Sequence, residues 1–309
     1  MTIRLLPVSN NFLLLVAAVS PYLIVASGAM ALLMFIVSKH WVLTGFALVL
    51  TVVALAGPLQ FYYLGGVRPE DRPHVDIRVL TANLRYGLAH PDFLVSLARD
   101  HADLVSVQEL TPGAIQRLSE AGIGSEFPYS VLIPGEAADG GGLWSRYPIA
   151  EIQGRHSEVG MMSVRLRIPG VRTNPVLAGV HIGAPISRPF DDWHAAITDL
   201  ARLLGRLAAT APGGAVLVAG DFNTTPDMQN FRQLLTNGYQ DAVQQTGAGS
   251  APSFPSNAWY PPLIAIDHVL VRGATATSVH TITVPGSDHR AVLATVQVPL
   301  DPTASYGPG

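Results

Sequence analysis

Five short apolar runs in this 309-residue chain each lead into side chains able to ligate, donate or carry protons. Leu80-Thr81-Ala82 runs into Asn83, Val105-Ser106-Val107 into Gln108 and Glu109, and Ala178-Gly179-Val180 into His181. Val216-Leu217-Val218-Ala219-Gly220 runs into Asp221-Phe222-Asn223, and Leu263-Ile264-Ala265-Ile266 into Asp267-His268. Ser287-Asp288-His289 then precedes a last apolar run. Cysteine is absent, which excludes a disulfide framework, a thiolate metal site and a cysteine nucleophile. A metal would therefore rest on carboxylate, amide and imidazole groups, a donor set suited to hard ions such as magnesium, manganese or calcium.

Taken singly, each of these residues also has a structural reading. Asn and Asp favour turns and caps, so Asn83 or Asp288 alone would be a turn residue, and Glu109 an ordinary exposed charge. His181 or His268 alone would be a hydrogen-bonded core imidazole. Thr225-Pro226 after Asn223 would open a helix, and Gly140-Gly141-Gly142 would be a flexible loop. Their recurrence at the ends of apolar runs is what points to a shared site, because rigid sheets gather side chains from distant parts of a chain at strand ends.

The elements that must position them follow from the hydrophobic pattern. β-rich runs at 77–80, 104–107, 163–168, 176–180, 215–219, 266–271, 278–284 and 291–298 alternate with amphipathic stretches at 93–101 and 193–207. Several runs are apolar on both faces, as in a sheet covered on both sides. The pattern predicts one layered α/β domain over 75–309.

Ahead of it the composition differs. The chain is 49% hydrophobic and 13% charged, and the apolar excess lies at the front. No charge falls between Arg4 and Lys39, nor between Lys39 and Arg68. Each uncharged stretch exceeds the roughly 20 residues that span a bilayer and is longer than a signal-peptide core. The expectation is a transmembrane helical hairpin within 1–64, with helices at about 12–38 and 41–64, and a linker at 65–74 rich in Gly and Pro. The rest of the chain carries 22 acidic and 17 basic residues, a net of −5, without the basic footprint of a protein that grips long nucleic acids.

Together, Thr81-Ala82-Asn83, Gln108-Glu109, Trp144-Ser145-Arg146-Tyr147-Pro148, His181, Gly220-Asp221-Phe222-Asn223, Ile266-Asp267-His268 and Ser287-Asp288-His289 resemble, in order, the motifs of the endonuclease/exonuclease/phosphatase superfamily. That superfamily includes DNase I, abasic-site endonucleases, inositol polyphosphate phosphatases and bacterial sphingomyelinases. The resemblance implies a four-layer α/β sandwich, two packed mixed β-sheets flanked by helices, and a divalent-metal-dependent phosphoric ester hydrolase using magnesium, with manganese or calcium as alternatives. It implies Glu109 as principal metal ligand, with Asn83 and Asp288 completing the site. His289 would take a proton from the attacking water or stabilise the transition state, and Asp267 would orient it. Asp221 and Asn223 would position water and a phosphate oxygen, and His181 would donate to another oxygen. Water would attack in line, since nothing resembles an activated serine nucleophile.

Arg85 stands where abasic-site endonucleases carry an acidic residue, which argues against that branch and makes it, with Arg146, a phosphate-contact candidate. Ala265 stands where the family often has a basic residue. The whole-chain layout is similar to that of actinobacterial membrane members of the superfamily, including proteins associated with glycopeptide-antibiotic resistance. The expected location is the cell membrane as a multi-pass protein with an extracytoplasmic catalytic domain, although Arg4 with Arg68 and Arg72 would favour the opposite sidedness. The partners expected are a phosphate-ester substrate, lipid-linked or small, and the membrane. A membrane-anchored nuclease is the alternative, and an inactive scaffold would require loss of site residues that are all present.

Overall fold

The structure is a computed structural model, and it describes residues 8–37, 40–67, 72–156 and 160–301. Arg4, Lys39 and Arg68, the charges that bound the apolar stretches, lie outside the described residues.

The first apolar stretch is not one helix. It forms α1 (Asn11–Ala18) and α2 (Ser20–Val37), separated at Val19. Asn10 caps α1, its side chain accepting from Leu13 N–H at 2.9 Å. The break has a local cause in Pro21, which cannot donate to the Ala17 carbonyl and whose ring crowds the preceding turn. α3 (Trp41–Leu59) continues into a π-helical turn at Gln60–Leu64, just after the internal Pro58. The segments Ser20–Val37 and Trp41–Leu64 are long and apolar enough to cross a membrane, and about a tenth of each is buried. They pack side by side as a hairpin. α1 instead joins the globular domain, burying Leu14, Ala17 and Ala18.

The second stretch also ends docked. Tyr62 is buried and donates to Asp227 Oδ2 at 2.9 Å, Gly249 N–H donates to the Tyr62 carbonyl, and Val67 N–H donates to the Gln245 carbonyl at 2.7 Å. The start of the stretch expected to be a linker is thus fixed to the domain rather than free.

The domain holds two six-stranded sheets. The first contains β1 (His74–Asn83), β2 (Leu104–Gln108), β3 (Tyr129–Ile133), β4 (Gly141–Ser145), β11 (Thr275–Thr283) and β12 (Arg290–Pro299), in the order β11-β12-β1-β2-β4-β3. The second contains β5 (Ile149–His156), β6 (Met161–Leu166), β7 (Val176–His181), β8 (Val216–Asp221), β9 (Gln240–Asp241) and β10 (Asp267–Arg272), in the order β5-β6-β7-β8-β10-β9. Each has one parallel pair at its centre, β1 with β2 and β7 with β8, and antiparallel neighbours outside.

Between the sheets lie Ile77, Val79 and Leu104 from the first and Val164, Leu177 and Leu217 from the second. α4 (Pro91–His101), α5 (Pro112–Glu120) and α6 (Ile123–Glu126) cover the outer face of the first sheet through Leu94, Leu118 and Ile123. α7 (Phe190–Thr210) covers the second through Trp193, Ile197, Leu200 and Leu204, and α1 lies in the same outer layer. The four-layer sandwich expected from the sequence is the architecture observed. Two short helices, α8 (Gln229–Arg232) and α9 (Ala242–Thr246), sit in the connections around β9.

Two local expectations change. Gly141 and Gly142 are not a loop but open β4, where the packing is tight. A Cβ at Gly142 would meet Leu110 Cδ2 at 2.8 Å, and one at Gly140 would meet the Leu110 carbonyl oxygen at 1.9 Å. Thr225-Pro226 do not open a helix; the chain stays irregular until α8 begins at Gln229.

Candidate active site

The parallel pairs decide which edge of the sandwich carries the chemistry. β1 and β2 end together with Asn83 beside Gln108, and β7 and β8 end together with His181 beside Asp221. β10 runs antiparallel to β8, so its first residue, Asp267, pairs with Asp221 at the same edge. Asp267 therefore opens a strand rather than closing one. β12 likewise starts beside the site, directly after Ser287-Asp288-His289.

The backbone leaves regular geometry where it turns over this edge. Arg85, Tyr86, Glu109 and Asn223 have φ of +47°, +54°, +58° and +45°, a left-handed region that non-glycine residues seldom adopt. Such strain persists where the surroundings dictate it, and it gathers at functional sites. Behind Asp221, Gly220 lets β8 approach β7 closely, since a Cβ there would lie 1.9 Å from the Val180 carbonyl oxygen.

A hydrogen-bond lattice holds the side chains. Asn83 Nδ2 donates to Glu109 Oε1 at 3.1 Å and to Asp221 Oδ2 at 3.0 Å. Its Oδ1 accepts from Arg85 N–H at 2.8 Å, and Glu109 Oε2 accepts from Tyr86 N–H at 2.6 Å. Asn223 donates to Asp221 from its backbone N–H at 2.9 Å and from Nδ2 at 3.2 Å. Ser287 Oγ bonds the Asn83 carbonyl at 2.8 Å and accepts from His289 N–H, tying the last loop to β1.

Two imidazoles face this lattice, each with Nε2 3.8 Å from Asp221 Oδ2. His181 Nδ1 lies 3.0 Å from the Ala138 carbonyl, which can only accept, so Nδ1 carries the proton. Its Nε2 stands 3.8 Å from both Glu109 Oε1 and Asp221 Oδ2. His289 Nδ1 donates to Asp267 Oδ2 at 2.8 Å, and its Nε2 stands 3.8 Å from Asp221 Oδ2. Burial alone would lower the His289 pKa. The charges of Asp267 and Asp221, the hydrogen bond to Asp267 and the charge of Asp288 outweigh it and push the pKa up to about 10. Burial, then the nearby Asp267 charge, raises Asp221 to about 6 against the opposing pull of His289, His181 and the Asn223 N–H.

Glu109, His181, Asp221, Asn223, Asp288 and His289 line a cavity of about 710 Å³, with Asn83 and Asp267 behind them. Nine of the ten site residues expected from the sequence lie at this edge: Asn83, Arg85, Glu109, His181, Asp221, Asn223, Asp267, Asp288 and His289. Arg85 Nε stands 3.9 Å from Asp288 Oδ2. Arg146 is the exception and is corrected here. β4 runs antiparallel to β2, so the residue after Ser145 emerges at the far edge, roughly 15 Å of strand away. There Arg146 bonds the Arg99 carbonyl at 2.5 Å, lies over the Phe127 ring and donates its backbone N–H to the Asp103 carbonyl. His268 is a core imidazole, bonded to Asp241 Oδ2 at 2.7 Å.

The donor set fits a hard divalent cation. It offers four carboxylates with no sulfur, and Asp267 Oδ1 is buried with no hydrogen-bond partner among the described residues. Asp221, Asp267 and His289 bring ligand atoms within 4.8 Å of one another. Asn83 differs from a simple oxygen ligand, since it turns its nitrogen to Glu109 and its oxygen to Arg85 N–H.

Several lining residues had no sequence signal. Leu14, Leu15 and Ala18 come from the apolar front segment, where nothing separates a domain-bound helix from a spanning one except Pro21. Phe254, whose ring centroid lies 4.9 Å from that of His289, sits in an irregular Pro- and Ser-rich stretch.

Similar folds occur in an endonuclease/exonuclease/phosphatase family protein from Bacteroides thetaiotaomicron (14% identity, TM-score 0.56) and in truncated Caenorhabditis elegans TDP2 (16%, 0.57). The alignments cover 72% and 74% of this chain and 98% and 99% of those chains. D. rerio TDP2, in a complex with a single-strand DNA product, is 17% identical over 72% of this chain and 98% of that chain, with a TM-score of 0.57. No curated protein sequence matches. The family generally comprises metal-dependent hydrolases of phosphoesters. With the family model matching residues 80–289, from the β1 strand through His289, the chain belongs to the Endonuclease/Exonuclease/phosphatase family.

Proposed function

We propose that this protein is a membrane-anchored, divalent-metal-dependent phosphoesterase acting on a lipid-linked or small phosphorylated substrate. The observation that carries the reading is the pairing, at one sheet edge, of the Asp267–His289 dyad with the Asn83-linked carboxylates of Glu109 and Asp221. α2 and α3 would supply the anchor and hold the site next to the bilayer, with the domain on the extracytoplasmic side.

In this reading Asp267 fixes the tautomer of His289 and leaves Nε2 directed at the reaction volume. There Nε2 takes a proton from the attacking water, or as imidazolium stabilises negative charge developing on the phosphoryl group. Asp221, held by three hydrogen bonds from Asn83 and Asn223, orients the water. His181 gives its Nδ1–H to the Ala138 carbonyl and donates to a non-bridging oxygen from Nε2 once that nitrogen also carries a proton, and Arg85 offers its guanidinium at the rim. Glu109, with Asp288 and with Asn83 once its amide is turned to bring Oδ1 toward Glu109, would hold the cation, magnesium being the first candidate. Bound there, the ion would neutralise phosphate oxygens and offset the negative field that keeps His289 protonated.

The test is hydrolysis by the full chain in detergent or nanodiscs of a panel of alkyl, lipid-linked and nucleic-acid phosphodiesters, with magnesium, manganese, calcium or EDTA. Turnover that EDTA stops and a divalent ion restores supports the reading. Preference for plasmid DNA would favour a nuclease, the reading suggested by the DNA product in the D. rerio relative and opposed by the net charge of −5 over the domain.

A further inference from the structure

The cavity that holds the catalytic groups is larger than a phosphoryl group requires, and part of its wall comes from the front of the chain. α1 places Leu14, Leu15 and Ala18 on the lining, while Ala17 and Ala18 bury against the outer core. Leu15 also remains 60% exposed, and Ile186, another lining residue, is 84% exposed. A polar site with bare, exposed apolar side chains in its lining is organised to meet something apolar.

The apolar lining from α1 is tied to the anchor. Only Val19 separates α1 from α2, so the lining helix runs straight into a segment apolar enough to span a bilayer. In the first turn of α2, Tyr22 donates its hydroxyl to the Leu263 carbonyl at 2.6 Å. This bond holds the neighbouring loop, which displays Trp259 at 95% exposure with Tyr260 beside it, against the root of the anchor. Trp and Tyr concentrate at the boundary between lipid and water, where the ring is buried and the polar edge stays wet. The loop and α1 therefore both meet the end of α2 that joins the domain, where a bilayer crossed by α2 would begin.

We propose that the cavity admits the apolar chain of an amphiphilic phosphate ester directly from the bilayer, the chain lying between Leu15 of α1 and Ile186 while the phosphate reaches Glu109 and His289. The inference rests on the phosphoesterase reading and narrows its substrate class to esters with a membrane-embedded chain. The polar end of the cavity matches the head of such a molecule, and its apolar lining residues match the tail, without the molecule leaving the lipid phase. A soluble phosphate ester or a nucleic acid strand would instead cover no part of α1.

The test uses the full chain in lipid nanodiscs with magnesium and a hexadecylphosphonate carrying a diazirine in mid-chain, so that binding is read without turnover. Photolabel is mapped by peptide sequencing, with and without excess unlabelled hexadecylphosphonate. Label on α1 and on residues 183–188, reduced at least tenfold by the competitor and at least fivefold in Leu15→Asp or Ile186→Asp, is the expected result. Both positions are solvent-facing, so the substitutions leave the packed core intact. Label confined to α2 and α3 and indifferent to the competitor would overturn the inference. A protein labelled on α1 that hydrolyses no phosphate ester would keep the inference and remove the catalytic reading. One that hydrolyses esters but is labelled only on α2 and α3 would do the reverse.

Discussion

His289 has one ring nitrogen committed to Asp267 and the other free toward the cavity, and that asymmetry makes Asp267 the most informative residue to change. Asp267→Asn keeps the shape and removes the charge that fixes the tautomer. We expect kcat to fall by about 10²–10⁴-fold, the usual span of general acid–base contributions, with KM little altered. Steady-state kinetics on the best substrate of the panel checks this. The two arginines separate site from scaffold. Arg85→Ala should raise KM about tenfold, the loss of one charged phosphate contact, whereas Arg146→Ala should leave kcat/KM within about twofold and lower stability by about 1 kcal/mol through the lost Arg99 and Phe127 contacts. Most site residues were legible in the sequence because each follows or precedes an apolar run. Arg146, a candidate from the resemblance and not from such a run, had no positional signal of its own. A residue at a strand end is recognisable from pattern, but which edge the end occupies depends on whether the strand runs parallel or antiparallel, and β4 runs against β2.

At the scale of elements, the central strands were readable from their apolar pattern, as was the edge strand β11, whereas β3, β4, β5 and β9 were not. β2, β7, β8, β10 and β1 from Val79 onward are buried on both faces, whereas β3 is half exposed and carries no clean alternation. α1 was hidden for a different reason, since a helix that packs on a domain and one that enters a membrane are equally apolar. Its docking is testable through Ala17, which is fully buried. Ala17→Leu would overpack the contact with the outer layer and should cost about 1–3 kcal/mol in thermal or denaturant unfolding, whereas Phe12→Ala, at 72% exposure, should cost almost nothing. The pair His268–Asp241 joins β10 to the edge strand β9 and gives a pH signature. Burial opposes the charged imidazole, but the charge and hydrogen bond of Asp241 outweigh it, so the pKa of His268 is raised in the folded state. The stabilisation is then fully present below the unfolded pKa of about 6.5 and is lost as pH rises through the higher folded value. Wild-type Tm should decline over that range, and Asp241→Asn should flatten the decline.

For the whole molecule, the consequence of docking both α1 and the end of α3 onto the globular domain is that the domain cannot turn freely about α2 and α3. The sequence suggests a tether and a head, because a Gly- and Pro-rich segment reads as a linker. The docking contacts are long-range and leave no local mark. The absence of cysteine makes sidedness directly measurable. A single cysteine at Leu88, 58% exposed and distant from α1 in sequence, should react with a membrane-impermeant maleimide in intact cells if the domain is extracytoplasmic, and only after lysis if it is not. The central claim, that one metal-assisted site at the sheet edge hydrolyses phosphate esters, is tested most directly by comparing turnover of the full chain with that of His289→Ala and Glu109→Ala across a magnesium titration. Expected are saturable metal-dependent turnover in the wild type, a loss of at least 10²-fold in His289→Ala at every magnesium concentration, and a loss in Glu109→Ala that excess magnesium partly restores. Undiminished turnover in both variants, each still folded by its unfolding profile, would contradict it.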